Sequence, residues 1–345
     1  MSDPSATRIA VVGAGAFGLN HLRVWQDLER SGAPVRVCAV VDPSPGVAQA
    51  VQQHAPLPVF SSVADLLAHG GCAAASVAVP TSQHFAVASQ LLTAGLDVLL
   101  EKPMTASLEE ADALLALARK NQRILQPGHL ERFNPAVLAM RPVAVDPLFF
   151  EVHRLSVFTP RSLDVDVVLD LMIHDLDVVL SLVQSPVAQL HAVGLPVLSG
   201  KVDIANVRLE FANGCVANFT ASRVSTERVR KLRFFAPHRY VSLDYARQDV
   251  LVIDVAGEAS AAAEEAAVRF MAAESRHPTP EFSMRKLEVT PGEPLRLELE
   301  AFLHAVRTRS APAVTGEDGR AALKLALEIL AAIRAHHARS GIASR

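Results

Sequence analysis

The segment RIAVVGAGAFGLNHLRVWQDLER, Arg8 to Arg30, constrains the chain more than any other. A short apolar run ends in Gly13, Gly15 and Gly18, and a helical pattern follows at once. Glycines at this spacing between a strand and a helix let the backbone turn tightly and approach a pyrophosphate. The helix N-terminus then offers N–H donors and the positive end of its dipole. Spacing alone is a weak sign, because many glycine turns match it. Its surroundings make it specific: VRVCAVVD, AASVAVP, DVLLEKP and QRILQPG are four further apolar runs, separated by helical stretches such as SQHFAVASQLLTAG and SLEEADALLALARKN. Near-continuous apolar strands alternating with helices require a parallel sheet covered on both faces. A doubly wound α/β domain of the Rossmann type is therefore expected over residues 1–127.

Asp42 ends the second run, where such units place the acid that binds ribose hydroxyls. Its charge would repel a 2′-phosphate, so NAD is expected rather than NADP. The plainer reading is a tight turn and a capping Asp. The expected cofactor contacts are the turn residues Gly13, Gly15, Ala16, Phe17 and Gly18, together with Asp42. Pro80, Thr81 and His84 after AASVAVP, and Glu101 and Lys102 in DVLLEKP, complete the set.

After about residue 128 the pattern changes. LFFEVHRLSVFT alternates like a strand, NVRLEFANG followed by CVANFTASRV reads as a hairpin with an Asn-Gly turn, and VRKLRFFAPHRYVSLDYA and DVLVIDVAG look like further antiparallel strands. Residues 128–345 are expected to form an α+β domain with an open, mainly antiparallel sheet, for substrate binding and oligomerisation. Its closing helices, LRLELEAFLHAVRTR and EDGRAALKLALEILAAIRAHHA, are free to pack back on the first domain. The Ala- and Glu-rich 256–276 stretch reads as a surface excursion or a mobile loop. The net charge of −3 gives no sign of a nucleic-acid or membrane-surface partner. The N-terminus lacks a basic-then-apolar pattern, no run is long enough to span a membrane, and the three cysteines are isolated along the sequence. A soluble, cytoplasmic protein with reduced thiols and no metal site is expected.

Three clusters carry candidate chemistry. Lys102 lies beyond the carboxyl end of a strand, where ligands of open α/β sheets sit; it is placed to polarise a carbonyl or donate a proton, or it is a surface lysine paired with Glu101. PGHLERFNPAV puts His129, Glu131, Arg132 and Asn134 on a connecting segment. They line a pocket there, or Asn134 simply caps a helix beginning at Pro135. DVVLDLMIHDLDVVLSLV, Asp166 to Val183, is the third. On a helix of roughly 100° per residue, Asp166, Asp170, His174, Asp177 and Ser181 fall within about 80° of arc, with Asp175 opposite. Asp170 and His174 are four apart, so the carboxylate reaches the imidazole and raises its basicity. That arrangement abstracts a hydroxyl proton while hydride leaves the same carbon; the alternative is a structural His-Asp pair.

Together, the glycine turn, Asp42, EKP and the later D-x-x-x-H resemble the Gfo/Idh/MocA family of nicotinamide-dependent oxidoreductases, over essentially the whole chain. The resemblance implies that Lys102, Asp170 and His174 form the catalytic group, with the substrate between Lys102 and His174. Many members carry a Gly-Gly run ahead of the Asp where this chain has DVDVVLD. Within the family, GHLERFNPAV, LMIHDLDVVLSLV and SRVSTERVRKLRFF resemble a branch acting on UDP-N-acetylglucosamine. That implies oxidation of the sugar C3 hydroxyl to a ketone with NAD, ahead of amino transfer for lipid A-type glycolipids. His129, Arg132, Asn134, Arg154, Arg161, His174 and Arg223 are then the candidate substrate contacts, the arginines and Arg228 being cations available to a pyrophosphate, or solvated sheet-edge charges. A dehydrogenase of a free sugar or inositol-like polyol, an NAD-bound sensor without activity, and a reductase of an imine or pyrrole are the rival readings. The family resemblance also implies a homodimer or homotetramer formed sheet to sheet.

Overall fold

The computed structural model describes residues 6–54, 57–158, 165–255 and 282–341; Arg161 and the 256–276 stretch lie outside them. The chain divides into two compact units, one of residues up to Phe133 with Gly292–Lys324, the other of Asn134–Pro291 and the residues from Leu325. The division falls at Phe133 because a 3-10 turn, Leu130–Phe133, packs on a helix from near the chain's end, and Leu130 rests against the first unit's core.

In the first unit six strands, β1 Thr7–Val12, β2 Val35–Val41, β3 Val59–Phe60, β4 Ala74–Val77, β5 Asp97–Glu101 and β6 Leu125–Gly128, form an all-parallel sheet in the order β3-β2-β1-β4-β5-β6. Five helices connect them: α1 Ala16–Arg30, α2 Pro45–His54, α3 Val63–His69, α4 Thr81–Thr93 and α5 Leu108–Lys120. The strands are mostly apolar because both faces are covered; β4 and β5 are buried at every residue. Trp25 and Leu28 of α1 join Leu99 and Phe302 in one core cluster.

The second unit holds α6 Pro135–Met140, β7 Phe149–Val157, α7 Ile173–Val183, β8 Val187–Leu195, β9 Ile204–Phe211, β10 Val216–Ser225, β11 Val229–Ala236, β12 Arg239–Asp244, β13 Asp249–Val255 and β14 Phe282–Lys286. Its sheet runs β14-β13-β12-β11-β7-β10-β9-β8, with β7 and β10 parallel and every other pair antiparallel. The hairpin turn falls at Asn213 and Gly214, where Gly214 takes φ 86° and the Asn213 side chain accepts from the Cys215 N–H. One sheet face is core: Ala205, Val207, Leu209 and Phe211 of β9 are buried while the alternate residues Asn206, Arg208 and Glu210 are exposed. Two helices close the chain. α8, Pro294–Thr308, belongs to the first unit, and α9, Gly316–Ser340, begins there and continues into the second. Among the described residues no helix is long and apolar enough to cross a membrane.

The expectation of three separate, reduced thiols is corrected for two of them. Cys38 on β2 and Cys72 just ahead of β4 form a disulfide, with Cα atoms 6.6 Å apart. β2 and β4 both flank β1, so the fold joins cysteines far apart in sequence. Cys215 is free and buried, and burial pushes its thiol up to about 11.

Candidate active site

β1 and β4 are neighbours in space although β2 and β3 separate them along the chain. Strand order reverses between them, and ligands of open α/β sheets bind at such a point. The helices that follow these strands differ from α3 and α5. Ser62 and Ser107 cap α3 and α5, each with acid in the first turn. α1 and α4 have no side-chain cap and no acid in the first turn. Their N-terminal N–H groups and dipoles are left to an anion.

The three glycines do three different jobs. Gly13 has φ +83° and a Cβ there would stand 2.7 Å from the Ala78 carbonyl oxygen. A Cβ on Gly18 would overlap the Gly13 carbonyl, so Gly18 lets α1 pack on the turn. A Cβ on Gly15 would meet nothing within 4 Å. No protein neighbour demands glycine at that position, whereas a pyrophosphate against the backbone would. Asp42 closes the same cradle: its carboxylate accepts from the Ala14 N–H at 2.8 Å and the Ser44 N–H at 2.9 Å. A carboxylate has about four lone-pair sites, so holding the turn leaves Asp42 acceptors for ribose hydroxyls. These residues fit a dinucleotide. Ala16 and Phe17 open α1, with the Phe17 ring 39% exposed beside the turn; Pro80 and Thr81 open α4.

Lys102 follows β5, half-buried, and is joined to Pro103 by a cis peptide bond. Glu101 before it is buried, with Oε1 3.1 Å from His21 Nε2, and His21 Nδ1 lies 2.5 Å from Ser76 Oγ. His84 is also buried, its Nδ1 2.8 Å from the Pro103 carbonyl and its Nε2 2.9 Å from that of Val79. His129 and Arg132 are buried; Arg132 Nη2 lies 3.3 Å from Asp318. Asn134 caps α6 through the Ala136 N–H at 3.1 Å and donates to the Tyr245 carbonyl at 3.1 Å.

The 166–183 segment departs from a uniform helix. Val168–Met172 is a π turn, and α7 follows directly. A π turn holds an extra residue, so a helical phase does not carry across it. Asp166 therefore leaves the expected stripe and sits ahead of the helix. Its carbonyl accepts the Leu169 and Asp170 N–H groups at 3.0 Å, and its carboxylate accepts the Val202 N–H at 2.9 Å. Asp170 on the π turn and His174 in the first turn of α7 are half-buried; Asp177 is buried, and Ser181 donates to the Val178 carbonyl. Such turns recur at functional sites. Asp175 faces away from this side, as its phase predicts. It takes a bidentate ion pair from Arg154, at 2.6 and 2.9 Å, both side chains buried. Arg154 thus has an internal partner, and it also lies 5.1 Å from the Tyr245 ring centroid. Arg223 donates to the Val165 carbonyl and lies 3.7 Å from Asp203. Among the described residues no three His, Cys, Asp or Glu side chains are grouped to hold a metal.

Comparison with known proteins bears on both units. A model described as the Gfo/Idh/MocA oxidoreductase family, NAD-binding Rossmann fold, matches residues 7–129, and the family's C-terminal domain model matches residues 149–237. UDP-N-acetylglucosamine 3-dehydrogenase of Acidithiobacillus ferrooxidans is 34% identical over 95% of this chain and 97% of its own. A solved structure of that enzyme has a TM-score of 0.84 at 32% identity, covering 96% of this chain and 98% of its own. Inositol 2-dehydrogenase 1 of Saccharopolyspora erythraea is 32% identical over 53% of this chain and 56% of its own. An Agrobacterium radiobacter oxidoreductase solved with NAD+, L-tartaric acid and magnesium shares the fold, with a TM-score of 0.80 at 16% identity, covering 95% and 96%.

Proposed function

We propose, for a chain that belongs to the Gfo/Idh/MocA oxidoreductase family and uses NAD, that it oxidises the C3 hydroxyl of UDP-N-acetylglucosamine or a related UDP-sugar to the ketone. One observation carries the substrate: the 34% identity to a UDP-N-acetylglucosamine 3-dehydrogenase runs through 95% of this chain, whereas the inositol dehydrogenase relative matches about half.

NAD, when bound, accepts the hydride. The protein binds and orients it with the glycine turn, the open N-termini of α1 and α4 and the Asp42 carboxylate. His174 takes the hydroxyl proton as general base. Asp170, four residues earlier on the π turn, is assigned to set the ring's tautomer and stabilise the imidazolium. Lys102 stabilises the alkoxide as charge develops on oxygen. His129, Arg132, Asn134, Arg154 and Arg223 are assigned to the substrate. Arg132 and Arg223 each have a carboxylate neighbour, but a guanidinium carries five N–H donors and one partner does not exhaust them. Arg161 lies outside the described residues.

The test is NADH formation with UDP-N-acetylglucosamine, UDP-glucose, free N-acetylglucosamine and myo-inositol. Turnover confined to the UDP-sugars supports the reading. Faster turnover of myo-inositol would transfer it to the cyclic-polyol alternative, which the inositol dehydrogenase relatives favour.

The same reading includes a homodimer or homotetramer. On the open face of the second sheet, strand register aligns Val216, Phe149, Phe235, Tyr240, Ile253 and Met284 in one row across six strands. The rings touch, Phe149 to Phe235 at 5.5 Å and Phe235 to Tyr240 at 5.1 Å between centroids. A continuous apolar row of this kind marks an interaction face, and a second copy covers it symmetrically. A cytoplasmic location is part of this reading, supported by the intracellular supply of NAD and nucleotide sugars.

A further inference from the structure

Two buried histidines bracket Lys102. His21, from the helix that follows the glycine turn, is wholly buried and reaches Glu101, the residue before the lysine. His84, from α4, is 1% exposed and reaches the carbonyl of Pro103, the residue after it. Two neighbours shape the space for the first contact. The Glu101 carboxylate can only accept, so His21 donates to it from Nε2, while Nδ1 meets the Ser76 hydroxyl of β4. Gly128 of β6 pairs with Glu101, and a Cβ there would stand 2.7 Å from Glu101 Oε1. A carboxylate this deep needs a hydrogen-bonded partner. Core packing alone would be served as well by apolar residues at both positions.

We propose that His21 and His84 are positioning residues for Lys102, one fixing the Glu101 side chain ahead of it and the other the Pro103 carbonyl behind it. Neither touches the substrate, and His84 acts on the lysine rather than on the cofactor. The proposal rests on the reading of Lys102 as the group that stabilises the alkoxide. Lysine has a long, flexible stem, so its ammonium is only as well placed as the backbone that carries it. Displacements of about 1 Å cost up to roughly 10²-fold in rate.

Amide substitutions separate this role from general support. A glutamine amide reaches the Nε2 position and an asparagine amide the Nδ1 position. His21→Gln keeps the Glu101 contact and loses the Ser76 one, and His21→Asn does the reverse; His84→Asn keeps the Pro103 contact and loses the Val79 one, and His84→Gln does the reverse. Two measurements follow on folded protein. One is kcat with UDP-N-acetylglucosamine, in the wild-type and Lys102→Ala backgrounds. The other, without substrate, is the rate at which formaldehyde and borohydride methylate Lys102, read by peptide mass spectrometry. His21→Gln and His84→Asn should each lose less in both than the other amide at the same position. His21→Asn and His84→Gln should lose roughly ten- to a hundredfold in kcat, change Lys102 methylation, leave NAD affinity unaltered, and add nothing once Lys102 is alanine. Equal loss in all four variants, or losses that multiply with that of Lys102→Ala, would overturn the proposal. If Lys102→Ala turns over like wild type, the catalytic reading of Lys102 falls instead, and the methylation pattern still decides whether the histidines hold the lysine.

Discussion

Two helices begin at residues proposed to be functional, and they begin in opposite ways. α1 opens on a glycine turn with no side-chain cap, no acid and empty space at Gly15. α7 opens on a π turn whose approach is tied down at every step. The Asp166 carbonyl takes two N–H groups, the Val202 carbonyl takes the Val167 N–H at 2.9 Å, and Arg223 holds the Val165 carbonyl. The first start leaves its backbone donors to a ligand. The second satisfies its backbone internally and presents side chains, Asp170 and His174. Backbone geometry suffices to hold a pyrophosphate, whose charge is the same in every dinucleotide. Removing a proton from one hydroxyl of one sugar needs a basic side chain in a fixed place.

The sharpest way to break this contrast is to remove a side chain from the second start. His174→Ala should cut kcat by roughly 10²–10⁴-fold, the usual share of a positioned acid-base group, and leave NAD affinity unchanged. Near-wild-type turnover of the UDP-sugar would return the Asp170 and His174 pair to a structural role.

Adding side chains to the first start should do the reverse. Gly18→Ala forces a Cβ onto the Gly13 carbonyl, so thermal or urea unfolding should show a loss of about 1–3 kcal/mol, as overpacking costs. Gly15→Ala meets no protein atom within 4 Å and should change stability little. It should weaken NAD binding roughly tenfold, about 1.4 kcal/mol, by isothermal titration. If NAD bound Gly15→Ala as tightly as wild type, the open space would have another purpose. Asp42→Ala should weaken NAD by a similar factor and relax the preference against NADP; a wild type that favours NADP would refute the assignment of Asp42.

The two starts were not equally legible. The glycine turn is written in residue type, because Gly13 and Gly18 occupy positions that no side chain fits, and the parallel sheet follows from apolar runs of strand length. β3 is two residues long, and β8 and β14 lie at the sheet's edges with mostly exposed or half-buried residues, so none of the three stands out as a strand in the sequence. The π turn leaves no mark on composition, so a phase of roughly 100° per residue misplaced Asp166 while placing Asp175 correctly. Partners such as Arg154 with Asp175, or Cys38 with Cys72, are fixed by topology rather than by spacing. His21 could have been found: it is a polar residue on the buried face of α1 beside Leu22 and Trp25, and a buried imidazole needs a partner.

The mildest probe concerns what holds the second start. Asp203 is fully buried, which by itself raises the pKa of a carboxyl group. The Ser199 hydroxyl at 2.6 Å and the Ser199, Val197 and Leu198 N–H groups at 2.8, 2.8 and 2.7 Å outweigh that, and the pKa lies below its ordinary 3.8. A group whose folded pKa is depressed stabilises the fold fully above its unfolded pKa, and that stability is lost as pH falls through the folded value. Asp203→Asn keeps the shape and removes the charge. It should be less stable than wild type in urea at neutral pH, with the difference shrinking as the pH drops below about 4. Because this loop carries Val202, and Val202 meets Asp166, kcat at neutral pH should also fall, by less than about tenfold, without a change in NAD affinity. A stability difference that stays constant from neutral to acid pH would mean that the loop is held by shape alone, and that the charge of Asp203 has no part in setting the π turn.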